Sequence, residues 1–353
     1  MTDTGPREAR VVTYRWHLDG VADPPDASVV GTPPRRHGSI RRTTHLDATW
    51  PWGDGTPLHL TGRARDLVTS DDGTPSVRGD DEIRIALGAS STIDAVATRP
   101  RRDGTERLVG ASVARGFRGA VDASLPDERA AVTPLALLLD DVPLVARIGG
   151  IAWAQQRPLE IELPRAPSGE LVIIPGAGPG AIPCSGLRSG GYYVKSMERG
   201  ITFPHWVRPA GDLDVDDEWA WHALDPVPEV CFRRRRRVDA WRAGGDIEVE
   251  AHFRDSVWGP DHDEIALHEY TLVATIDRAS RALRSIGVES RVLPFPECPA
   301  AAPHVETLVG TDVESIRSGV NGVLTELQCC THLNDMLRGL SDVPALVRSI
   351  GGK

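Results

Sequence analysis

The chain contains itself twice, and a repeated folding unit constrains the architecture more than any other feature of the sequence. Arg41-Arg42, Asp47-Ala48 and Trp50 recur as Arg236-Arg237, Asp239-Ala240 and Trp241, and Arg65-Asp66 recurs as Arg254-Asp255. Leu108-Val109-Gly110 returns as Leu308-Val309-Gly310, and the stretch from Thr133 through Asp141-Val142-Pro143 to Gly149-Gly150 returns from Thr331 through Asp342-Val343-Pro344 to Gly351-Gly352. Colinear matches of this kind indicate duplication of one unit. The differences lie where the reactive side chains are. His252, His268, Cys298, Cys330 and His332 of copy two face Arg63, non-His residues near Arg84 to Ala86, no cysteine, Val132 and Pro134 in copy one. Copy two therefore reads as the working copy.

Four regions follow: an irregular Pro-, Asp- and Gly-rich arm over 1–37, copy one over 38–150, a Gly/Pro-rich aromatic insert over 151–230, and copy two over 231–353. Leu58, Leu60, Gly62 and Ala64 alternate with His59, Thr61, Arg63 and Arg65, as Ile247, Val249, Ala251 and Phe253 alternate with Glu248, Glu250, His252 and Arg254. Both are the period of a half-buried strand. Residues 264–277 and 282–291 form a further hairpin with its turn at Asp277. Val309, Val313, Ile316, Val320 and Val323 then recur at helical spacing, and Leu333, Leu337 and Leu340 mark a shorter helix closed by Gly339 and Pro344. The expected fold is α+β: two tandem copies of an antiparallel sheet with helices on one face, related by a pseudo-two-fold, with the aromatic insert between them as a lid. The Gly176 to Ala181 run lacks the spacing and the strand–turn–helix setting of a dinucleotide site.

At 353 residues and 40% apolar the chain can bury real cores. A net charge of −10 argues against nucleic acid and anionic membranes, whose attraction needs accumulated basic charge. No apolar run resembles a signal peptide or spans a bilayer, so the expectation is a cytoplasmic protein, with room for a homo-oligomer. Five cysteines, an odd number without a CxxC pair, argue for reduced thiols.

Cys330-Thr331-His332 and Asp335 form the stretch richest in chemistry. Thr331 is a natural N-cap, which puts Cys330 at a helix N-terminus where amides favour the thiolate, the other reading being a small buried apolar group or buried donor. His332 and Asp335, three apart, share a helix face, so the carboxylate can orient the imidazole. His268 lies on the apolar parity of its strand with Tyr270, Leu272, Ala274 and Ile276, as an acid, a base or a satisfied core histidine. His252 shares the polar parity with Glu250 and Arg254, the pattern of a solvated face. Asp255 and Asp66 end equivalent strands, where a structural role outweighs a catalytic one. The five arginines Arg233 to Arg237 read as a solvated strand entrance whose members splay to two sides.

On these residues the sequence resembles a bacterial family known as domain of unknown function twenty-eight eighty-nine. The pattern runs from an arginine-led strand through His252 and Asp255, His268, the Pro-Glu-Cys298-Pro loop and Leu308-Val309-Gly310 to Cys330-Thr331-His332-Leu333. A two-copy form with a central insert resembles its actinobacterial branch. Asp335 stands where shorter members carry Glu. The resemblance sharpens the site and implies no activity.

The residues together point to an enzyme of lyase, isomerase, decarboxylase or hydrolase type, acting on a small organic molecule by acid–base chemistry without a nucleotide cofactor. Its catalytic candidates are His332, Asp335, His268, Cys330, His252 and Asp255, with Tyr193, Trp206 and Arg254 against the substrate. Tyr192, Phe203, Trp219 and Trp221 of the insert suggest an aromatic compound. No metal is expected; if zinc or iron is held, the ligand set on offer is Cys298, Cys330, His332 and His268. The competing readings are a non-catalytic binding or assembly protein and a structural zinc module.

Overall fold

A computed structural model describes residues 7–12, 14–17, 27–50, 57–88, 91–150, 152, 159–164, 184–188, 190–198, 203–213, 215–227, 230–258, 263–325 and 328–351. The α+β expectation holds: these residues form an antiparallel sheet of nine strands together with seven helices. The first four-stranded meander is β3 (Ser39–Thr49), β4 (Leu58–Thr69), β5 (Pro75–Leu87) and β6 (Ile93–Arg99). The second is β10 (Cys231–Ala243), β11 (Asp246–Trp258), β12 (Glu264–Asp277) and β13 (Leu283–Val292). They do not form separate sheets. β3 pairs antiparallel with β10, Thr44 opposite Arg236, giving the order β13-β12-β11-β10-β3-β4-β5-β6, with the short β9 (Arg208–Pro209) on β12.

The arm and insert contribute two further pairs. β1 (Arg7–Val12) runs against β7 (Leu159–Pro164), and β2 (Tyr14–His17) runs parallel to β8 (Phe203–Trp206). The expectation of an irregular arm is thus too simple. The Gly176 to Ala181 run lies outside the described residues.

Each meander is followed by a 3-10 segment and helices. After β6 come a 3-10 turn (Thr105–Leu108), α1 (Phe117–Ser124), α2 (Pro126–Ala131) and α3 (Pro134–Ile148). After β13 come a 3-10 helix (Cys298–Leu308), α5 (Val313–Val323), α6 (Thr331–Arg338) and α7 (Val343–Arg348), while α4 (Tyr192–Glu198) belongs to the insert. The Leu-Val-Gly repeats are turns. Gly110 and Gly310 take φ of 84° and 89°, a region that favours glycine, and their amides return to Ile93 and Leu283 carbonyls at 2.8 Å. The helix therefore starts at Val313, where Asp312 caps the Glu314 amide, and not at Val309. Pro344 begins α7, a position where proline costs no hydrogen bond, instead of closing the preceding helix.

All the main helices lie on one face. Beneath them sit two apolar clusters, one centred on Leu46, Leu60, Ile85, Leu138 and Val142, the other on Val249, Tyr270, Leu272, Leu333 and Leu337. Gly62 lets α3 approach: a Cβ there would fall 2.7 Å from the His45 carbonyl oxygen and 2.8 Å from Leu46 Cδ1. Gly62→Ala is expected to cost about 1–3 kcal/mol in thermal unfolding, the usual penalty of overpacking.

The second face is not solvated, because segments 27–37 and 206–227 cover it. This corrects the reading of the arginine run. Arg233 to Arg237 splay alternately as a strand requires, but all five are between 0 and 7% exposed. Arg233 is held by Asp47 at 2.6 Å, as Arg41 in β3 is held by Asp239. The pair in β10 that does what Arg41-Arg42 does in β3 is therefore Arg233-Arg234, not Arg236-Arg237. His252, expected on a wet surface, is also buried, its Nε2 2.7 Å from Glu269.

Candidate active site

Where β3 and β10 meet, the helix-covered face carries charge instead of apolar side chains. Arg42 is bidentate to Asp66, opposite it in β4, at 2.6 and 2.7 Å, and its remaining nitrogen reaches Asp342 at 3.0 Å. Arg234 is bidentate to Asp255, opposite it in β11, at 2.8 Å, and reaches Asp141 of α3 at 3.0 Å and Asp335 of α6 at 3.1 Å. Each arginine thus ties its own hairpin to the terminal helical segment of the other half. Burial of a guanidinium is tolerable only with such partners, and the surrounding carboxylates leave both arginines fully charged. Asp255 is accordingly structural in part, as its recurrence with Asp66 suggests.

Asp255 also faces the histidines. His268 is the residue opposite it on β12, beside a bulge at Asp255/Ser256, and His332 comes down from the first turn of α6. The His268 and His332 rings stack with centroids 3.5 Å apart and planes 15° from parallel, and His332 Nε2 lies 3.5 Å from Asp255 Oδ2. One ligand-capable atom from each of Asp255, His268 and His332 lies within 4.8 Å of the others. Asp255 is fully buried, His332 is 7% exposed, and His268 is the member reaching toward solvent. Burial, followed by the Arg234 charge, holds His332 well below its ordinary pKa, so its ring is neutral at pH 7. Its Nε2 makes no hydrogen bond among the described residues.

Behind His332 stand Cys330 and Tyr270. Cys330 Sγ is 4.0 Å from His332 Nδ1 and 3.2 Å from the Tyr270 hydroxyl. Cys330, not Thr331, is the N-cap residue of α6, with its side chain making no cap hydrogen bond. The expected thiolate is corrected too: burial raises the Cys330 pKa, outweighing the Tyr270 hydroxyl and the Leu333 and His332 amides that favour the charged form. Cys330 is a neutral thiol at pH 7. Cys298 is likewise buried and raised, packed against Gly186 of the insert, and neither thiol belongs to the Asp255–His268–His332 group.

Other expected site residues lie elsewhere. Asp335 does not orient His332: its oxygens go to Arg338 at 2.6 Å and to Arg234, because His332 is turned toward β11 and β12. The carboxylate near His332 Nε2 is Asp255, at 3.5 Å. His252 and Arg254 are on the opposite face, where Arg254 is taken up by Glu269 and the carbonyls of Gly211 and Val29. Tyr193 meets Phe295 edge-on at 5.5 Å, and Trp206 neighbours Tyr192 at 6.2 Å. Both belong to the part of the insert next to Cys298 and Cys330, where the Ser185 amide also bonds the Cys329 carbonyl at 2.8 Å. Trp219 and Trp221 serve the far face, on Arg65 and Thr32, and the Phe203 side chain lies outside the described residues. An open cleft of about 330 Å³ on that face is lined by Arg35, His37 and Asp217, but Arg35 and Asp217 pair with each other.

Arg234, Tyr270 and Glu269 escaped sequence reasoning. Parity sets Tyr270 on the face of His268 but gives it no role at the site, and the recurrence of Arg42 and Asp66 would have matched Arg234 to Asp255. The first half differs at the corresponding place. The residue opposite Asp66 is Gly79, and a Cβ there would strike Pro134 Cγ at 2.9 Å. Glycine against proline thus fills the place that His268 on His332 fills beside Asp255.

No curated protein matches the chain. A solved structure described as crystal structure of lipopolysaccharide binding protein aligns at 9% identity over 76% of this chain and 79% of that one; its TM-score of 0.11 carries no argument. Among the described residues no helix is long and apolar enough to cross a membrane. Residues 232–345, which hold Asp255, His268, Cys330 and His332, match the model of the family described as protein of unknown function (DUF2889).

Proposed function

We propose that the protein is an enzyme for a small organic molecule, reacting by proton transfer at the Asp255–His268–His332 centre. The observation that carries this reading is the convergence of two histidines from different elements on a carboxylate, with a neutral ring whose Nε2 is left without a hydrogen bond. A buried ring nitrogen without a partner is costly in either tautomer unless it is used. Asp255, fixed by Arg234, stands 3.5 Å from His332 Nε2, where its charge favours a proton taken up on the ring, and His268, at the solvent side, meets the substrate. Cys330 and Tyr270 back the Nδ1 side of the ring. Tyr193, edge-on to Phe295, and Trp206, beside Tyr192, give the insert aromatic side chains of the kind that stack on flat ligands, which favours an aromatic substrate.

The matched pairs Arg42–Asp66 and Arg234–Asp255, the paired glycine turns and the Gly79/Pro134 counterpart support a duplicated unit with a pseudo-two-fold, in which one site was kept. A cytoplasmic setting fits the acidic, thiol-bearing sequence, and the two-copy form with its central insert resembles the actinobacterial branch of the family. The test is solvent-deuterium exchange: aromatic and aliphatic carbonyl compounds are incubated with the protein in D2O and followed by NMR. Wild type should exchange at least one of them, and His332→Gln should slow that exchange about 10²–10⁴-fold. Inertness of folded wild type across the panel, or full activity of the variant, would favour a binding or assembly protein instead.

A further inference from the structure

We propose that Asp255, His268 and His332 together bind one divalent first-row transition ion, with zinc and iron(II) as the class. This rests on the reading of the cluster as the reacting centre, and it moves the proton carrier from an imidazole to water on the ion. Two neutral imidazoles and one carboxylate are the donor set that holds such ions while leaving positions open for water and substrate. A lone pair that accepts no hydrogen bond suits a cation as well as a proton, and His332 Nε2 is buried, lacks such a bond and sits 3.5 Å from Asp255 Oδ2.

The charges around the cluster agree. Arg234 would repel a cation if it stood alone beside Asp255. It is instead shared with Asp141 at 3.0 Å and Asp335 at 3.1 Å, so the negative charge of Asp255 is not consumed by one guanidinium. Each Asp255 oxygen takes one hydrogen bond from Arg234 and keeps a lone pair for a metal. Arg234 then holds the carboxylate as outer-sphere groups commonly hold ligands. The donor atoms span up to 4.8 Å, whereas ligands on a tetrahedral ion stand about 3.3 Å apart at ordinary bond lengths. Closing that gap falls to His268, the partly exposed member. The thiols are excluded as ligands: Cys330 faces Nδ1 of His332, away from Asp255, and Cys298 packs on Gly186.

The test uses the full chain, stripped with chelator and titrated with cobalt(II) alone and with zinc(II) alone, followed by visible absorption and calorimetry. One ion per chain is expected, with nitrogen/oxygen-type cobalt bands free of thiolate charge transfer. Affinity should fall at least about 10-fold in His268→Gln and in His332→Gln and stay unchanged in Cys330→Ser and Cys298→Ser. His268→Gln is the decisive variant, because its position is partly exposed and its folding can be verified by unfolding midpoint. No stoichiometric binding by folded wild type, binding unaffected by His268→Gln, or binding lost with the cysteines would each overturn the proposal. Deuterium exchange by metal-stripped protein separates the two readings: exchange without metal binding overturns the ion and leaves the proton-transfer centre standing. Metal binding without exchange sustains the site and sinks the proton-transfer reading.

Discussion

Arg234→Ala is expected to destabilise the protein by about 3–5 kcal/mol or to prevent folding. The guanidinium is wholly buried and serves Asp255, Asp141 and Asp335, three carboxylates from β11, α3 and α6. Truncation leaves these carboxylates without their shared countercharge in a site that water does not reach, and it unfastens both halves at once. Arg36 is the contrasting case: it pairs with Glu250 but is 54% exposed, so Arg36→Ala should change stability by no more than about 1 kcal/mol. Denaturant unfolding monitored by tryptophan fluorescence measures both. Near-equal midpoints for the two variants would show that the buried charge is compensated by other means. If Arg234→Ala does not fold, Asp342→Asn gives the same test at the matching contact to Arg42.

The second large effect is a loss of stability on acidification. His45 and His252 are each lowered to about 4, mainly by burial, and His222 and His332 are lowered well below the ordinary value for the same reason. In the unfolded chain these rings titrate near 6.5. Between about pH 6.5 and 4 the unfolded state binds more protons than the folded state, so stability is complete above the unfolded pKa and falls as pH falls. A displacement from 6.5 to about 4 corresponds to roughly 3 kcal/mol for each of His45 and His252. His45 and His222 share a 2.6 Å hydrogen bond, so they give up this stability as a pair. Burial raises Asp81 and Asp141, which works in the opposite direction at lower pH and leaves the histidine window legible. Urea midpoints at pH 7.5, 6.0 and 5.0 should fall steadily. A flat profile would mean that these histidines are already protonated in the fold or reach water. His252→Gln should flatten the slope, since Glu269 keeps Arg254 and Ser28 as partners.

Local rules made part of this molecule legible in advance. Alternation in 58–65 and 247–254 identified strands and their parity correctly, because a pleat sends successive side chains to opposite faces whatever the surroundings. It also placed His268 with Tyr270 on the helix-facing side. The two-copy match singled out the segment that holds Cys330 and His332, and their proximity to His268 is realised in the fold. What failed in each case was the identity of the partner. Polar parity was taken to mean water for Arg233 to Arg237 and His252, yet coil segments preceding β3 and β10 cover that face and supply Val29, Gly211, Trp219 and His222. Helical spacing paired Asp335 with His332, although i, i+3 neighbours share a face only if both side chains turn the same way, and here one faces an arginine lattice and the other a strand. The helix N-terminus argued for a thiolate at Cys330, but the dipole is a small effect and burial a large one. The sequence by itself determined strand and helix periods, the repeat and the list of reactive residues, since these depend on neighbours along the chain. The tertiary structure alone decided that the two meanders fuse at β3 and β10, and that Asp255 stands beside His268 and His332, because pairing between distant strands fixes which charges lose their water and must find each other.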